Sequence, residues 1–149
     1  MSPCVHGIAG NARTASLVVE NRMEALGHAE RWLDELLVSW TVAPTARFAL
    51  ALVANEALTN IVRHAYRDRD VHDIAVTLTR ASDAVSIEIV DDGEAFDPFA
   101  AAAREPVADL ANAPVGGRGI GLIKHFADSH RYRRTEGCNH LILSVRVPR

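Results

Sequence analysis

A chain of 149 residues, 48% hydrophobic and 23% charged, has globular composition and enough length to bury one core without metal or disulfide staples. Its formal net charge of −3 argues against direct nucleic-acid binding, which needs clustered Lys and Arg, and no stretch is long and apolar enough to span a bilayer. The two cysteines, Cys4 and Cys138, have neither CxxC spacing nor the density of a disulfide scaffold, and no signal-peptide pattern opens the chain, so a reducing, cytoplasmic compartment is expected.

Residues 1–13 mix Ser, Pro, Gly, Asn and Ala without a sustained period and are expected to form a flexible N-terminus. The remainder, 14–149, reads as a single domain with no repeat and no linker. Residues 14–20 (TASLVVE) predict a strand. From Arg22 a helical period sets in with Met23, Leu26, Ala29, Leu33 and Leu37, and it runs to about residue 39. Ala43-Pro44-Thr45 interrupts it, since proline disfavours helical geometry at the residue before it.

Residues 48–66 (FALALVANEALTNIVRHAY) predict the central helix. Leu50, Ala54, Ala57, Leu58, Ile61 and Ala65 gather on one arc, the stripe of a core-facing helix. Glu56 and Asn60, four residues apart, project from one face a turn apart. They stand beside Ala49, Leu52 and Val53, which a fully solvated face would not favour. A wet polar surface and the wall of a cleft both fit this helix taken alone.

After a charged connection (67–73), Ile74, Val76 and Leu78 alternate with Ala75, Thr77 and Thr79, and Val85, Ile87 and Ile89 with Ser86, Glu88 and Val90, which predicts an antiparallel hairpin. The second strand runs into Asp91-Asp92-Gly93. From residue 94 to 115 regular patterning fades apart from a possible short helix at 100–104, and a connection of this length is commonly a lid or a binding segment. Gly116-Gly117-Arg118-Gly119-Ile120-Gly121 then opens a helix carrying Leu122, Ile123, Phe126 and Ala127. Two strands, 131–136 and 140–147, are joined by a turn at Gly137-Cys138-Asn139, with Arg131, Arg133 and Arg134 read as a solvated strand face. The order predicts an α/β (α+β) two-layer sandwich, a mixed but largely antiparallel sheet covered on one face by helices.

The chemistry-bearing features fall at element ends. Glycines at a helix start let a backbone approach an anion, and the helix dipole attracts phosphate, though a flexible hinge fits them equally. This is neither the dinucleotide fingerprint, which follows a strand directly, nor a P-loop, which ends in Gly-Lys-Ser/Thr. Asp91 could accept a hydrogen bond from a ligand amine with Gly93 leaving room for a flat ring; Asp-Gly is also ordinary turn chemistry. The acidic string Asp91, Asp92, Glu94, Asp97 lacks the spacing and closing Glu of an EF-hand. His125 and His130 lack the spacing of HExxH, and no GxSxG elbow is present.

Taken together, a helical ExxxN, a DxG closing a strand, a lid and a GxGxG resemble the ATP-binding domain shared by gyrase, histidine kinases and MutL, the GHKL superfamily. Within it, NEALTNIVRHAY, VDDGEAFDP, GGRGIGLIKHFAD and GCNHLIL most resemble the bacterial anti-sigma-factor serine/threonine protein kinases, over about residues 14–147. That resemblance implies the histidine-kinase-like ATPase (Bergerat) fold with an ATP lid at about 94–118. It implies Asn60 as the Mg²⁺ ligand, Glu56 as general base or orienter of an incoming hydroxyl, Asp91 and Gly93 at adenine, and Gly117, Arg118, Gly119, Gly121 and Leu122 along the nucleotide. Ala95 stands where the superfamily's second turn glycine usually lies, as in relatives with FDP turns. A threonine frequent near the final hairpin has no clear match at Cys138 or Asn139. The implied activity is phosphorylation of a small anti-anti-sigma antagonist by a protein that otherwise holds a sigma factor of RNA polymerase, working as a homodimer. A nucleotide-dependent binding module with little catalysis is the alternative; a two-component histidine kinase would need a long helical hairpin carrying the acceptor His.

Overall fold

The computed structural model describes residues 13–102 and 115–148, for 101, 102 and 115–118 the backbone course alone. The expected flexible N-terminus and the middle of the expected lid, 103–114, lie outside the described residues, except that Arg13 already belongs to the first strand. The elements are β1 (Arg13–Glu20), α1 (Met23–Ser39), α2 (Pro44–His64), β2 (Asp73–Arg80), β3 (Ala84–Asp91), α3 (Pro98–Ala102), α4 (Val115–Phe126), β4 (Ser129–Thr135) and β5 (Cys138–Arg146).

The strands form one sheet in the order β1-β2-β3-β5-β4, with every pairing antiparallel. The sheet is therefore antiparallel rather than mixed, because each neighbouring pair runs in opposite directions even where a helix intervenes in sequence. Period-two alternation puts Ile74, Val76 and Leu78 of β2, Val85, Ile87 and Ile89 of β3, and Leu141, Leu143 and Val145 of β5 on one buried face. The register stacks them in rows, Val76↔Ile89↔Leu141 and Leu78↔Ile87↔Leu143. On that face lie the helices, in one continuous core that includes Leu33, Leu37, Leu50, Val53 and Ile123.

In α1, Leu26, Ala29, Leu33 and Leu37 are buried at helical spacing, so the core claims this face. The chain reverses through Thr41 in the left-handed region (φ 57), and Pro44 starts α2, where its missing N–H costs nothing. α2 is the spine of the helical layer. Its buried residues are mostly small, Ala46, Ala49, Ala54 and Ala57 beside Leu50, Val53 and Leu58, which lets α1 and α4 pack closely along it. The final hairpin turns at Glu136-Gly137, both at positive φ (51 and 76), a two-residue loop matched to strand twist and one step earlier than expected. Cys138 is disulfide-bonded, against the expectation of reduced cysteines, since a single pairing leaves no spacing pattern to read.

At one end of the sheet the apolar face becomes polar. Asp91 continues the parity of Ile87 and Ile89, Asn139 pairs with it on β5, and Arg134 pairs with Asn139 on β4. Among the described residues, no helix is long and apolar enough to cross a membrane.

Candidate functional site

A cleft of about 50 Å³ opens between α2, α4 and this polar end of the sheet. α2 lends Ala57, Asn60, Ile61 and His64; α4 lends Ile120 and Ile123; the strands supply Asp91, Asn139 and Leu141. Phe96 and Pro98, after the Asp-Asp-Gly turn, line it too. Apolar walls around a single buried carboxylate suit a flat heterocycle bearing an amine.

Asp91 is only 5% exposed. Its Oδ1 accepts from the Gly93 N–H at 2.9 Å and from Asn139 Nδ2 at 3.0 Å. Burial pushes its carboxyl above the ordinary range, while those two bonds pull it back. Gly93 is required sterically: a Cβ there would stand 2.5 Å from the Ala65 carbonyl oxygen and 2.6 Å from Ala65 Cβ. The turn is thus pressed against the end of α2, and the Glu94 N–H donates to Ala65 O at 2.8 Å. Behind it, Asp92 bonds His72 Nδ1 at 3.1 Å, Asp68 bonds His72 Nε2 at 2.8 Å, and the imidazole stacks on Tyr66.

Glu56 and Asn60 are half-buried on α2, facing α4. A Cβ on Gly119 would lie 2.8 Å from Glu56 Oε2 and 3.6 Å from Asn60 Nδ2, so both side chains converge on a position of α4 that carries no side chain. Asn60 lines the cleft and also a wide outer groove of about 720 Å³ that Glu56 shares with Leu122, Met23 and Glu30. A carboxylate and an amide oxygen at the junction of an enclosed pocket and an open groove can hold a hard cation on one side and a hydroxyl on the other.

The remaining expected positions distribute as follows. Ala95 is exposed and outside the cleft-lining set. The glycine run does not precede its helix: α4 starts at Val115, so Gly117 and Arg118 lie in its first turn and Gly119 and Gly121 further in. Glycine propensity favoured a loop, and the close approach of Gly119 to Glu56 is the packing that favours helix instead. Amides free of intrahelical partners belong to the first four positions, 115–118.

Three contributors escaped the sequence reading. Asn139 and Tyr132 had no assigned role, and Arg134 is read there as part of a solvated strand face. Yet Tyr132 Oη donates to Asn139 Oδ1, Arg134 Nη1 donates to Asn139 Oδ1 at 2.9 Å and to Gly93 O at 3.0 Å, and Asn139 Nδ2 donates to Glu94 O at 2.8 Å. Alternation along β4 was the available signal, since 132 and 134 share a parity that 131 and 133 do not.

A family model, the histidine kinase-like ATPase domain, matches residues 19–145. The chain belongs to this family. It is 37% identical over 113 residues to the serine/threonine-protein kinase BtrW of Bordetella bronchiseptica, covering 76% of this chain and 80% of that one. It is 30% identical over 97 residues to the serine-protein kinase RsbW of Bacillus cereus, covering 62% of this chain and 60% of that one. The crystal structure of the RsbU and RsbW domains of Rv1364c from Mycobacterium tuberculosis superposes with a TM-score of 0.64 at 14% identity, covering 92% of this chain and 33% of that chain. That likeness is one of fold.

Proposed function

We propose that this protein is a serine/threonine protein kinase that binds Mg-ATP in the cleft and phosphorylates a small anti-anti-sigma antagonist, releasing itself to hold a sigma factor. The observation that carries the reading is the order of groups along the site: Asp91 deep in the enclosed cleft, Asn60 where it opens, and Glu56 in the groove beyond. That is the order of adenine, phosphates and acceptor hydroxyl. Two glycines fit the ligand sterically, since Gly93 keeps the adenine turn seated and Gly119 leaves the space between α4 and the Glu56–Asn60 pair.

Asp91 Oδ2 accepts from the adenine amine, its other oxygen being held by Gly93 and Asn139. The Asn60 amide oxygen would hold Mg²⁺, for which an oxygen donor is the right chemistry; when bound, the ion neutralises charge on the phosphate oxygens. Glu56 orients the serine or threonine hydroxyl and receives its proton as the oxygen–γ-phosphorus bond forms and the bond to the β-phosphate oxygen breaks, leaving ADP. The groove beside Glu56 is open enough to admit an acceptor segment of another protein. The names of the two relatives, serine/threonine-protein kinase and serine-protein kinase, support the acceptor class. The antagonist, the sigma factor and a homodimer complete this reading.

The test is incubation with Mg-ATP labelled in the γ-position and small candidate antagonists encoded nearby. Label on serine or threonine, lost in Glu56→Ala with ATP binding kept, is expected. ATP binding with no transfer and no effect of Glu56→Ala would leave a nucleotide-dependent binding module in place of the kinase.

A further inference from the structure

Asn139 lines the cleft beside Asp91, with its side-chain amide engaged within the protein. Its amide has two donor hydrogens and two acceptor sites. The hydrogens go to Asp91 Oδ1 at 3.0 Å and Glu94 O at 2.8 Å, and the oxygen accepts from Tyr132 Oη and from Arg134 Nη1 at 2.9 Å. Every bonding capacity is spent inside the protein, on a residue 5% exposed. No side-chain hydrogen-bonding capacity is left over for a ligand. The donors on its oxygen also fix which way the amide faces, and so guarantee that an N–H, not an oxygen, meets Asp91.

Arg134 anchors the arrangement from the sheet edge. Besides Asn139 it holds Gly93 O at 3.0 Å and Gly137 O at 3.2 Å, so one guanidinium ties the β4–β5 turn to the Asp-Asp-Gly turn. We infer that Arg134 and Asn139 form a relay that positions Asp91: the guanidinium orients the amide, and the amide pins Oδ1 so that Oδ2 stands toward a ring amine in the cleft. The proposal rests on the reading of the cleft as an adenine site, and deepens it by naming the residues that set its preference for a 6-amino purine. Without the relay the Gly93 N–H alone would hold Oδ1, so the carboxylate would turn more freely and water would compete with the amine.

The experiment measures affinity for ATP and for purine riboside triphosphate, which lacks only the 6-amino group, by calorimetry on the full chain. A hydrogen bond to an ionised acceptor makes wild type prefer ATP by roughly tenfold or more. Arg134→Met and Asn139→Thr should contract that preference to about threefold or less, chiefly by weakening ATP, with Asn139→Thr the more severe. Because Asn139 is buried, Arg134→Met, at the sheet edge, is the variant that stays folded, and thermal melting confirms it. A folded Arg134→Met protein that binds both nucleotides more weakly by one factor, or keeps the wild-type preference, would overturn the relay alone. Wild type that binds ATP no better than the analogue, or binds neither, would overturn the adenine reading and the relay with it.

Discussion

Gly93→Ala concentrates the physics of the adenine turn in one methyl group. The added Cβ would lie 2.5 Å from Ala65 O, short of an ordinary 3.4 Å contact by 0.9 Å, and 2.6 Å from Ala65 Cβ. Both obstacles belong to the end of α2, so neither can swing away as a long side chain would. Either the turn lifts or the helix end bends, and the 2.8 Å bond from Glu94 N to Ala65 O breaks. Overpacking of this kind costs about 1–3 kcal/mol, and the lost bond about 1 kcal/mol more. The melting temperature should fall by roughly 5–15 °C for a chain of this size. Since the Gly93 N–H also holds Asp91 Oδ1, ATP affinity should drop by about tenfold or more even well below the melt. Gly137→Ala is the matched control: it sits at φ 76 with open space around it, so it should cost about 1–2 kcal/mol in backbone strain and leave ATP affinity unchanged. Scanning calorimetry with ATP titration reads both. A Gly93→Ala protein that melts and binds like wild type would refute the close packing of turn on helix.

Other expectations follow from the same geometry. Glu56→Gln keeps the shape of the groove but removes the proton acceptor, so phosphotransfer should fall by about 10²–10⁴ while ATP affinity holds; a parallel loss of affinity would make Glu56 a binding residue instead. Gly119→Ala places a methyl 2.8 Å from Glu56 Oε2, the mobile end of a side chain, so stability should change little while transfer falls as the carboxylate is displaced. The pair Asp68 and His72 predicts a pH window. Asp68 raises the pKa of His72, and His72 lowers that of Asp68, in each case first through their hydrogen bond. The histidine's share of stability is full below its ordinary value near 6.5 and lost as pH rises through the raised one; the carboxylate's is full above about 3.9 and lost as pH falls through the lowered one. His72→Gln should therefore flatten the stability profile at both ends, and an unaltered profile would remove the pair from the account.

The periodicities of two and 3.6 carried the layer order, the hairpins and the buried faces into the sequence, and ExxxN and DxG marked two points of the cleft because their spacing is local. What escaped depends on non-local register. Arg134 joins Asp91 only because β5 lies between β3 and β4, and the alternation that sets Arg134 apart from Arg131 and Arg133 does not reveal that register. His72 meets Asp92 across the whole β2–β3 hairpin. The glycine run misled in the opposite way: its composition reads as loop, and only the α4–α2 contact at Gly119 makes its helix worth forming.

ATP binding with and without Mg²⁺, in wild type and Asn60→Ala, tests the central claim most directly. Mg²⁺ should strengthen ATP binding in wild type and do little in the variant, with adenine recognition at Asp91 retained. An equal effect of Mg²⁺ in both proteins would contradict the assignment of Asn60 as the metal ligand and, with it, the placing of the phosphates between α2 and α4.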